Sequence, residues 1–453
     1  MDKNQGDSHK KIPWWQLTLI GVGCTIGTGF FLGSALAIKQ GGPAAIFTFL
    51  LAAAGTYIVY DALARMTAEH PEKGSFRTYA KKAYGRWAGF STGWVYWTSE
   101  LLIMGSQLTA LAIFSKYWFP GMPLWLLSAI FGVLGIGVII TGVSGFERFE
   151  NIFAVVKTAA IVMFIIIAVL AVTGTLDGGR PERTFEWSGE GLFPAGVTGL
   201  WAALIYAFYA FGGIEVMGIM ANELKEPKEA PKSGKVMLVL LAVIYVASLG
   251  LAVFLVSWDK FNPDESPFIT ALAKYDLAFV PHVFNGALII GGFSTMVASL
   301  YAITTILSTL AEDKDAPAFF AKTGKRGVPY HALVLTITGL IASIVVALLL
   351  PEKVYEYLTT AAGLMLLYTW IFILFSYNKL MDLPGPAKIK RWMGFLLIAA
   401  AVSGTLIDGS SRIGFFISLL FLVVIALVDE KKMEGRAFLI YFGSHTTLVT
   451  YSQ

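Results

Sequence analysis

The stretch Gly21-Val-Gly-Cys-Thr-Ile-Gly-Thr-Gly-Phe-Phe-Leu-Gly33 lies inside a hydrophobic segment, 14–38, that is long enough to cross a bilayer. Its centre is Gly27-Thr28-Gly29, and a glycine costs about 1 kcal/mol relative to alanine inside a helix. Backbone that leaves the helical conformation at membrane depth is tolerated only where it is buried in protein or lines a cavity. The stretch therefore predicts a broken first helix with a binding site at the break.

The composition is that of a polytopic membrane protein. Of the 453 residues, 56% are hydrophobic and 14% are charged, and the mean hydropathy is +0.68. Apolar blocks of about 20 residues recur along the chain, and each is sufficient for a hydrocarbon core of about 30 Å. We predict twelve transmembrane helices with no soluble domain between them: 14–38, 43–64, 87–113, 123–143, 149–173, 194–221, 235–257, 281–310, 330–350, 354–378, 392–407 and 411–429.

Several classes of function find no support in the residues. Cys24 is the single cysteine, so there is neither a disulfide framework nor a thiolate metal cluster. The five histidines are scattered along the chain, and the glycines of the first span do not have dinucleotide-binding spacing. We therefore expect no metal site, no cofactor and no enzymatic activity. The polar start, 1–11, and the long first span argue against a cleavable signal peptide.

Lysine and arginine residues are distributed unevenly between the predicted loops. With the N-terminus inside the cell, most of the 34 basic residues fall on the cytoplasmic side, including clusters at 65–86 and 225–235. We therefore expect a protein of the plasma (inner) membrane with both termini in the cytoplasm. This asymmetry explains the net charge of +4, and nothing in the sequence supports binding to nucleic acid.

A second glycine interruption occurs five spans after the first, in Phe211-Gly212-Gly213-Ile-Glu215 of the sixth span. Because five is an odd number, the two interrupted helices point in opposite directions. That arrangement is typical of secondary transporters with a site at the bilayer midplane. Close helix packing is the alternative, since Gly23 and Gly27 have GxxxG spacing. The pairing of two breaks favours the binding site.

Further motifs follow one another in a fixed order along the first ten spans. They are Ile26–Ser34, Gly41-Gly-Pro43, His70–Phe76, Gly93–Trp97 with Leu108-Thr-Ala110, Phe211–Glu215, Asn222–Lys228, Leu310–Phe320 and Arg326-Gly-Val-Pro329. Each motif is modest by itself, but their order and spacing are specific. Together they resemble the amino acid permeases of the amino acid–polyamine–organocation superfamily, in particular its bacterial amino-acid transporter branch.

The resemblance implies an all-α membrane protein with a LeuT-type fold, in which five plus five inverted helices are followed by two accessory helices. The implied division is a cytoplasmic tail at 1–13, repeats at 14–173 and 194–378, accessory helices at 392–429 and a second cytoplasmic tail at 430–453. It implies import of L-amino acids, with a preference for neutral or hydrophobic ones, coupled to protons. We expect an amino-acid substrate, H⁺ and the lipid bilayer as partners, and no obligate protein partner. A cationic amino-acid transporter, an exchanger and an amino-acid-sensing receptor remain alternatives.

An amino acid needs hydrogen-bond donors for its carboxylate and acceptors for its ammonium, and the ends of broken helices supply both. We expect the amides of Thr28, Gly29 and Phe30 to hold the carboxylate. The carbonyl groups near Ile26, Tyr209 and Phe211 would hold the ammonium. Aromatic residues of the sixth span would cover the substrate side chain. The predicted substrate-binding residues are Ile26, Gly27, Thr28, Gly29, Phe30, Ser99, Glu100, Phe208, Tyr209, Phe211, Gly212 and Ser299.

Ionisable side chains inside membrane spans are costly and are therefore functional candidates. Lys157, in the fifth span, can take the place of a sodium ion between the first and eighth helices and can exchange a proton. Snorkelling to the inner interface is the alternative. The resemblance adds Glu215, Ser294 and Thr295 to the predicted ion-coupling set. Asp61 is expected to form a structural i,i+4 pair with its neighbour Arg65.

Glu100, near the middle of the third span, departs from the family pattern. The resemblance places it beside the substrate pocket, where relatives carry an aromatic or neutral residue. A carboxylate there can select a cationic substrate, carry the coupled proton, or serve a structural role with a hydrogen-bond partner on another helix. Gln107, two turns further along, replaces an acid that relatives often have. The sequence leaves the three roles of Glu100 open.

Overall fold

The computed structural model describes residues 11–72, 74–141, 143–177, 181, 188–275, 277–324, 329–349 and 353–446, with the backbone alone at 143–152, 154, 190 and 431–446. Of the predicted cytoplasmic tails, 1–10 and 447–453 lie outside the described residues, and 431–446 is described by its backbone alone. Some basic residues used to predict the orientation also lie outside the described residues, among them Lys3, Lys73 and Arg326.

The described chain is built from α-helices. They are α1 (Trp14–Thr25), α2 (Thr28–Phe31), α3 (Gly33–Gly41), α4 (Ala45–Glu69), α5 (Ser75–Tyr84), α6 (Arg86–Ser115), α7 (Leu124–Ile140), α8 (Val143–Thr173), α9 (Gly189–Leu192), α10 (Gly196–Tyr209), α11 (Ile214–Met220), α12 (Ala230–Leu255), α13 (Pro267–Leu272), α14 (Val280–Glu312), α15 (Tyr330–Leu349), α16 (Val354–Leu380), α17 (Gly385–Gly404) and α18 (Gly409–Thr446). Each of the twelve predicted spans coincides with one of these helices or with an interrupted group of them.

Eight helical segments in the described part of the chain are long and apolar enough to cross a membrane, and α7 is a shorter apolar helix. The helices α1, α6 and α17 also lie within predicted spans but are not among these eight segments. The helix α1 is short because it is interrupted, α6 carries polar residues that are buried inside the protein, and α17 begins with a basic turn. The chain is therefore a helical, multi-pass membrane protein.

Prolines occupy the first turns of several long helices. Pro231, Pro281 and Pro386 lie at the beginnings of α12, α14 and α17, where an amide has no partner within the helix. Since proline has no N–H group and a fixed φ, it begins these helices without the loss of a hydrogen bond. These residues help to define where each helix starts.

Both predicted helix interruptions are present in the structure. The first helix ends at Thr25, Ile26 and Gly27 are extended, and α2 starts at Thr28. The second interruption separates α10 from α11, and it ends at Gly213, which has a left-handed φ of 117°. Only glycine adopts this conformation without strain, so Gly213 allows the chain to reverse direction and start α11.

The two interruptions pack directly against each other. A β-carbon added at Gly213 would lie 3.2 Å from the carbonyl oxygen of Cys24, and one added at Gly29 would lie 2.9 Å from the Tyr209 ring. The long helix α6 packs along both α14 and α16, while α4 and α8 pack against α12. The core of the molecule therefore surrounds two segments of non-helical backbone.

Candidate functional site

A cavity lies where the two helix interruptions meet. Its volume is about 50 Å³, whereas one water needs roughly 10–15 Å³ by the same measure. The cavity therefore has room for a few water molecules, and a larger ligand requires helices or side chains to move. It is lined by Cys24, Thr25, Gly27, Gly29, Glu100, Ile103, Gln107, Tyr209, Gly212, Gly213, Val216, Thr295, Ala298 and Ser299.

The backbone at the first break leaves donors available next to the cavity. The amides of Phe30 and Phe31 both donate to the carbonyl of Gly27 at 3.0 Å. Among the described residues, the amides of Thr28 and Gly29 donate to no protein group. Two amides at the start of α2 are thus available to an anionic group, whereas the predicted third donor, Phe30, is already used within the turn.

Hydrogen bonds with side chains of α6 hold both breaks. The hydroxyl of Thr28 donates to the side-chain carbonyl of Gln107. The neighbouring residue on α6, Ser106, shares a hydrogen bond of 2.6 Å with the hydroxyl of Tyr209 at the end of α10. Tyr355 of α16 donates to the carbonyl of Thr28 at 3.0 Å. Consecutive residues of one helix therefore fix the positions of both interruptions.

Two carboxylates lie at the cavity or next to it. Glu100 lines the cavity, as does Ser299 of α14. Glu215 is fully buried; it accepts a hydrogen bond of 3.1 Å from the Gly213 amide and another from the Trp370 indole. No lysine or arginine is among the lining residues. The cavity is therefore suited to a ligand that carries a positive group.

Lys157 lies beside the first break rather than in the cavity. The side chain is fully buried on α8, and its ammonium donates to the carbonyl of Gly23, within the last turn of α1. A β-carbon added at Gly291 of α14 would lie 3.7 Å from the Lys157 side chain. The ammonium therefore binds α1 in a region where α14 is adjacent.

The predicted hydroxyl ligands of α14 lie in different surroundings. Thr295 lines the cavity, and its methyl group would be 2.7 Å from a β-carbon added at Gly27. Its hydroxyl donates to the carbonyls of Gly291 and Gly292. Ser294 is buried but is not a lining residue. Of the two, Thr295 is the one in contact with the first break.

Several residues predicted to bind the substrate lie in the layer around the cavity instead of its lining. Phe30 stacks on Tyr245 with ring centroids 3.9 Å apart, and Phe208 packs against Trp370. Ser99 donates to the carbonyl of Ala362 at 3.3 Å. The predicted residues outside the lining are Ile26, Thr28, Phe30, Ser99, Phe208 and Phe211, and those within it are Gly27, Gly29, Glu100, Tyr209, Gly212 and Ser299.

Some lining residues were not predicted. Ile103 and Gln107 lie three and seven positions after Glu100, and Ala298 lies three positions after Thr295. These spacings place residues on the same face of a helix as the predicted ones, so helical periodicity was the available signal. The other lining residues that sequence reasoning missed are Cys24, Thr25, Gly213 and Val216.

Ion pairs connect α5 and the start of α6 to the segment that directly follows α14. The buried guanidinium of Arg77 lies 2.8 Å from Asp313 and 2.7 Å from Asp315, and Arg86 lies 2.6 Å from Asp315. Partial burial opposes ionisation of Asp313, but Arg77 and Lys81 outweigh it, so the pKa of this loop residue is lowered. These contacts fix one end of α14, which contributes Thr295 and Ser299 to the cavity. The predicted pair of Asp61 with Arg65 is also present, at 3.0 Å.

Comparisons with known proteins identify the class. A family model described as "Amino acid permease" matches residues 16–407. The chain is 57% identical to the uncharacterized transporter YcgH of Bacillus subtilis over 445 residues, which are 96% of this chain and 98% of the relative. It is 32% identical over 413 residues to the aromatic amino acid transport protein AroP of Corynebacterium glutamicum, covering 87% of this chain and 89% of the relative.

The gamma-aminobutyric acid permease of Bacillus subtilis is 30% identical over 418 residues, which are 90% of this chain and 89% of the relative. The apolar helices and these matches define a multi-pass membrane transporter. The chain belongs to the amino acid permease family. Amino-acid transport is the function that this membership supports, and relatives are named as transporters rather than enzymes.

Proposed function

We propose that the protein imports L-amino acids across the plasma membrane by alternating access, driven by the proton gradient. The observation that carries the proposal is the cavity between two interrupted helices, with the unpaired amides of Thr28 and Gly29 on one side and Glu100 on another. A zwitterion requires this combination of donors and acceptors. In the proposed architecture, repeats at 14–173 and 194–378 are inverted copies, two accessory helices follow, and both termini are cytoplasmic.

In the proposed complex, the substrate carboxylate accepts hydrogen bonds from the amides at the start of α2. The ammonium binds carbonyl groups at the ends of α1 and α10, since helix C-terminal carbonyls carry partial negative charge. The substrate side chain then extends along the face of α6 that contains Glu100, Ile103 and Gln107. The present cavity is too small for an amino acid. The proposal therefore includes outward movement of the helix ends when the substrate enters.

Proton coupling is assigned to Lys157, with Glu215 as a second residue of the proposed ion-coupling set. A protonated Lys157 donates to the carbonyl of Gly23 and holds the end of α1 against α8. Once the proton is lost, the charge-assisted hydrogen bond weakens, and α1 can move relative to α8. Because Gly23 lies one turn before Gly27, such movement changes the geometry of the first break. Loss of the proton is thereby coupled to opening of the cavity.

Neutral and hydrophobic amino acids are the proposed substrates, in keeping with relatives named for aromatic amino acids. A second candidate is a cationic amino acid, and one observation favours it. Glu100 lines a cavity whose lining includes no basic side chain. Exchange of amino acids and sensing without transport are further alternatives. Net accumulation inside vesicles separates import from both of them.

The site itself is tested by thiol labelling, because Cys24 is the single cysteine of the chain and lines the cavity. We expect a methanethiosulfonate reagent to inhibit uptake by the unmodified protein, and a transported amino acid to slow the reaction. Cys24→Ser should be resistant to the reagent. A cysteine introduced at exposed Gly121 of that variant should react without inhibition. If substrate gives no protection at Cys24, the proposed site is wrong.

A further inference from the structure

Arg391, in the first turns of α17, is a buried cation without an acidic partner. Its relative exposure is 8%, and its Nε is covered by protein with no hydrogen-bond partner. Among the described residues, no carboxylate lies within salt-bridge distance of it. Asp61, the acid that pairs with the neighbouring Lys390 at 2.6 Å, also pairs with Arg65 at 3.0 Å. Arg391 therefore has no counter-ion supplied by this part of the chain.

One favourable contact of Arg391 is with an aromatic ring. The guanidinium carbon lies 4.7 Å from the centroid of the Trp392 ring. A cation–π contact stabilises the charge but offers no hydrogen-bond acceptor. Removal of a charged group from water is costly unless the group is paired and hydrogen-bonded. The environment of Arg391 is therefore incomplete without an external anion.

The surface around Arg391 indicates the kind of anion. Beside it, α17 exposes Ile389, Trp392, Met393 and Leu396, with relative exposures of 65%, 50%, 55% and 64%. In a membrane-embedded helix, such an outward apolar surface contacts lipid chains. Exposed Lys388 lies one turn earlier, so the apolar surface begins where the basic residues end. A half-exposed tryptophan at this level is typical of the interface between hydrocarbon and headgroups.

We propose that Arg391 binds the phosphate of an anionic phospholipid of the phosphatidylglycerol type, with Lys388 adding positive charge. The two terminal amino groups of a guanidinium, Nη1 and Nη2, match a phosphate through two parallel hydrogen bonds, which an ammonium cannot make, and the covered Nε takes no part in this contact. One acyl chain then lies against Met393 and Leu396, and Trp392 contacts the glycerol region. The adjoining apolar surface favours a lipid over a soluble anion. The inference depends on membrane insertion of α17 and not on the proposed substrate or coupling ion.

The test measures lipid binding by the full-length protein after delipidation in detergent. Native mass spectrometry with phosphatidylglycerol and phosphatidylcholine gives the two affinities. We expect the unmodified protein to prefer phosphatidylglycerol at least tenfold. Arg391→Gln should weaken binding of phosphatidylglycerol at least fivefold and leave phosphatidylcholine binding unchanged. If the glutamine variant does not fold, Arg391→Lys replaces it, with an expected loss of at least twofold because the ammonium lacks the planar geometry.

Lys232→Gln is the matched control, because Lys232 is also a cation over a tryptophan ring, 4.0 Å from the Trp14 centroid, but is exposed. It should retain phosphatidylglycerol affinity within twofold. Equal losses in the Arg391 and Lys232 variants would overturn the inference in favour of general charge attraction. If inorganic phosphate competed with phosphatidylglycerol at equal affinity, the site would be one for soluble anions, and the inference would be overturned. Unchanged binding by the Arg391 variant would also overturn it.

Discussion

Lys157 is a fully buried ammonium within α8, and its hydrogen bond to Gly23 connects it to the break in the first helix. We expect Lys157→Ala to abolish uptake driven by a pH gradient while amino-acid binding stays within about threefold, because the side chain is not part of the cavity lining. Uptake in proteoliposomes and equilibrium binding are the two measurements. Lys260→Ala, at an exposed loop position, is the control and should behave like the unmodified protein.

Glu100 distinguishes the two candidate substrate classes. Since coupling is assigned to Lys157, we expect Glu100→Gln to retain the response to a pH gradient but to change substrate preference. If cationic amino acids are substrates, their affinity should fall at least tenfold, since a charged hydrogen bond contributes about 1.5–3 kcal/mol. Competition uptake against a panel of amino acids measures the preference. Loss of the gradient response with unchanged preference would assign proton coupling to Glu100 instead.

The sequence identified charged candidates more readily than neutral ones. Glu100 and Lys157 stand out because an ionisable group within an apolar span is costly, and this cost is visible without a structure. Val216 and Ala298 are apolar, like most residues of membrane helices. The cost of burying a charge therefore does not single them out. Whether they line a cavity depends on the rotation of α11 and α14, which is set by packing between helices distant in the chain.

At the level of helices, Gly213 joins the two interruptions. Its φ of 117° is unfavourable for any other residue, and an added β-carbon would lie 3.2 Å from Cys24 backbone and from the Thr25 hydroxyl. We expect Gly213→Ala to reduce uptake at least tenfold at normal membrane expression. Gly286→Ala, in α14 with open space around it, should leave uptake unchanged. Normal uptake by Gly213→Ala would show that the geometry of the second break is not required.

The ion pairs between α5 and the segment that directly follows α14 are expected to stabilise the fold. Arg77 and Asp315 are both buried, and loss of one partner of such a pair costs about 3–5 kcal/mol. Asp315→Ala should therefore lower the thermal unfolding midpoint in detergent by on the order of 5 °C. Lys82→Ala removes an exposed pair with Glu72 and should change the midpoint little, because surface pairs contribute at most about 1 kcal/mol. Equal midpoints for the two variants would contradict this role.

Helix positions followed closely from hydropathy, and both breaks were found from glycine content. The short helices α5 and α13 were not predicted, because apolar length was the criterion and neither reaches the length of a span. The hydrogen bonds that join Ser106 and Gln107 to the two breaks were not predictable either. They join residues 103 and 79 positions apart, and no local pattern specifies such a pairing.

For the whole molecule, the distribution of basic residues predicts that both termini are cytoplasmic. Alkaline phosphatase, which is active only outside the cytoplasm, should be active when fused within the loop 116–123 between α6 and α7. It should be inactive when fused after residue 453. Green fluorescent protein at the same two positions provides the reciprocal control, with fluorescence at the C-terminus alone. Activity of alkaline phosphatase at the C-terminus would contradict the prediction that both termini are cytoplasmic.

The most direct test of the proposed function is uptake of radiolabelled amino acids into proteoliposomes that contain the purified protein. A panel of neutral, aromatic and cationic amino acids is assayed with an imposed pH gradient, an imposed sodium gradient, or neither. We predict accumulation of at least one amino acid above its equilibrium level with the pH gradient, and no such accumulation with sodium or without a gradient. Failure of every amino acid to accumulate under all three conditions would contradict ion-driven import.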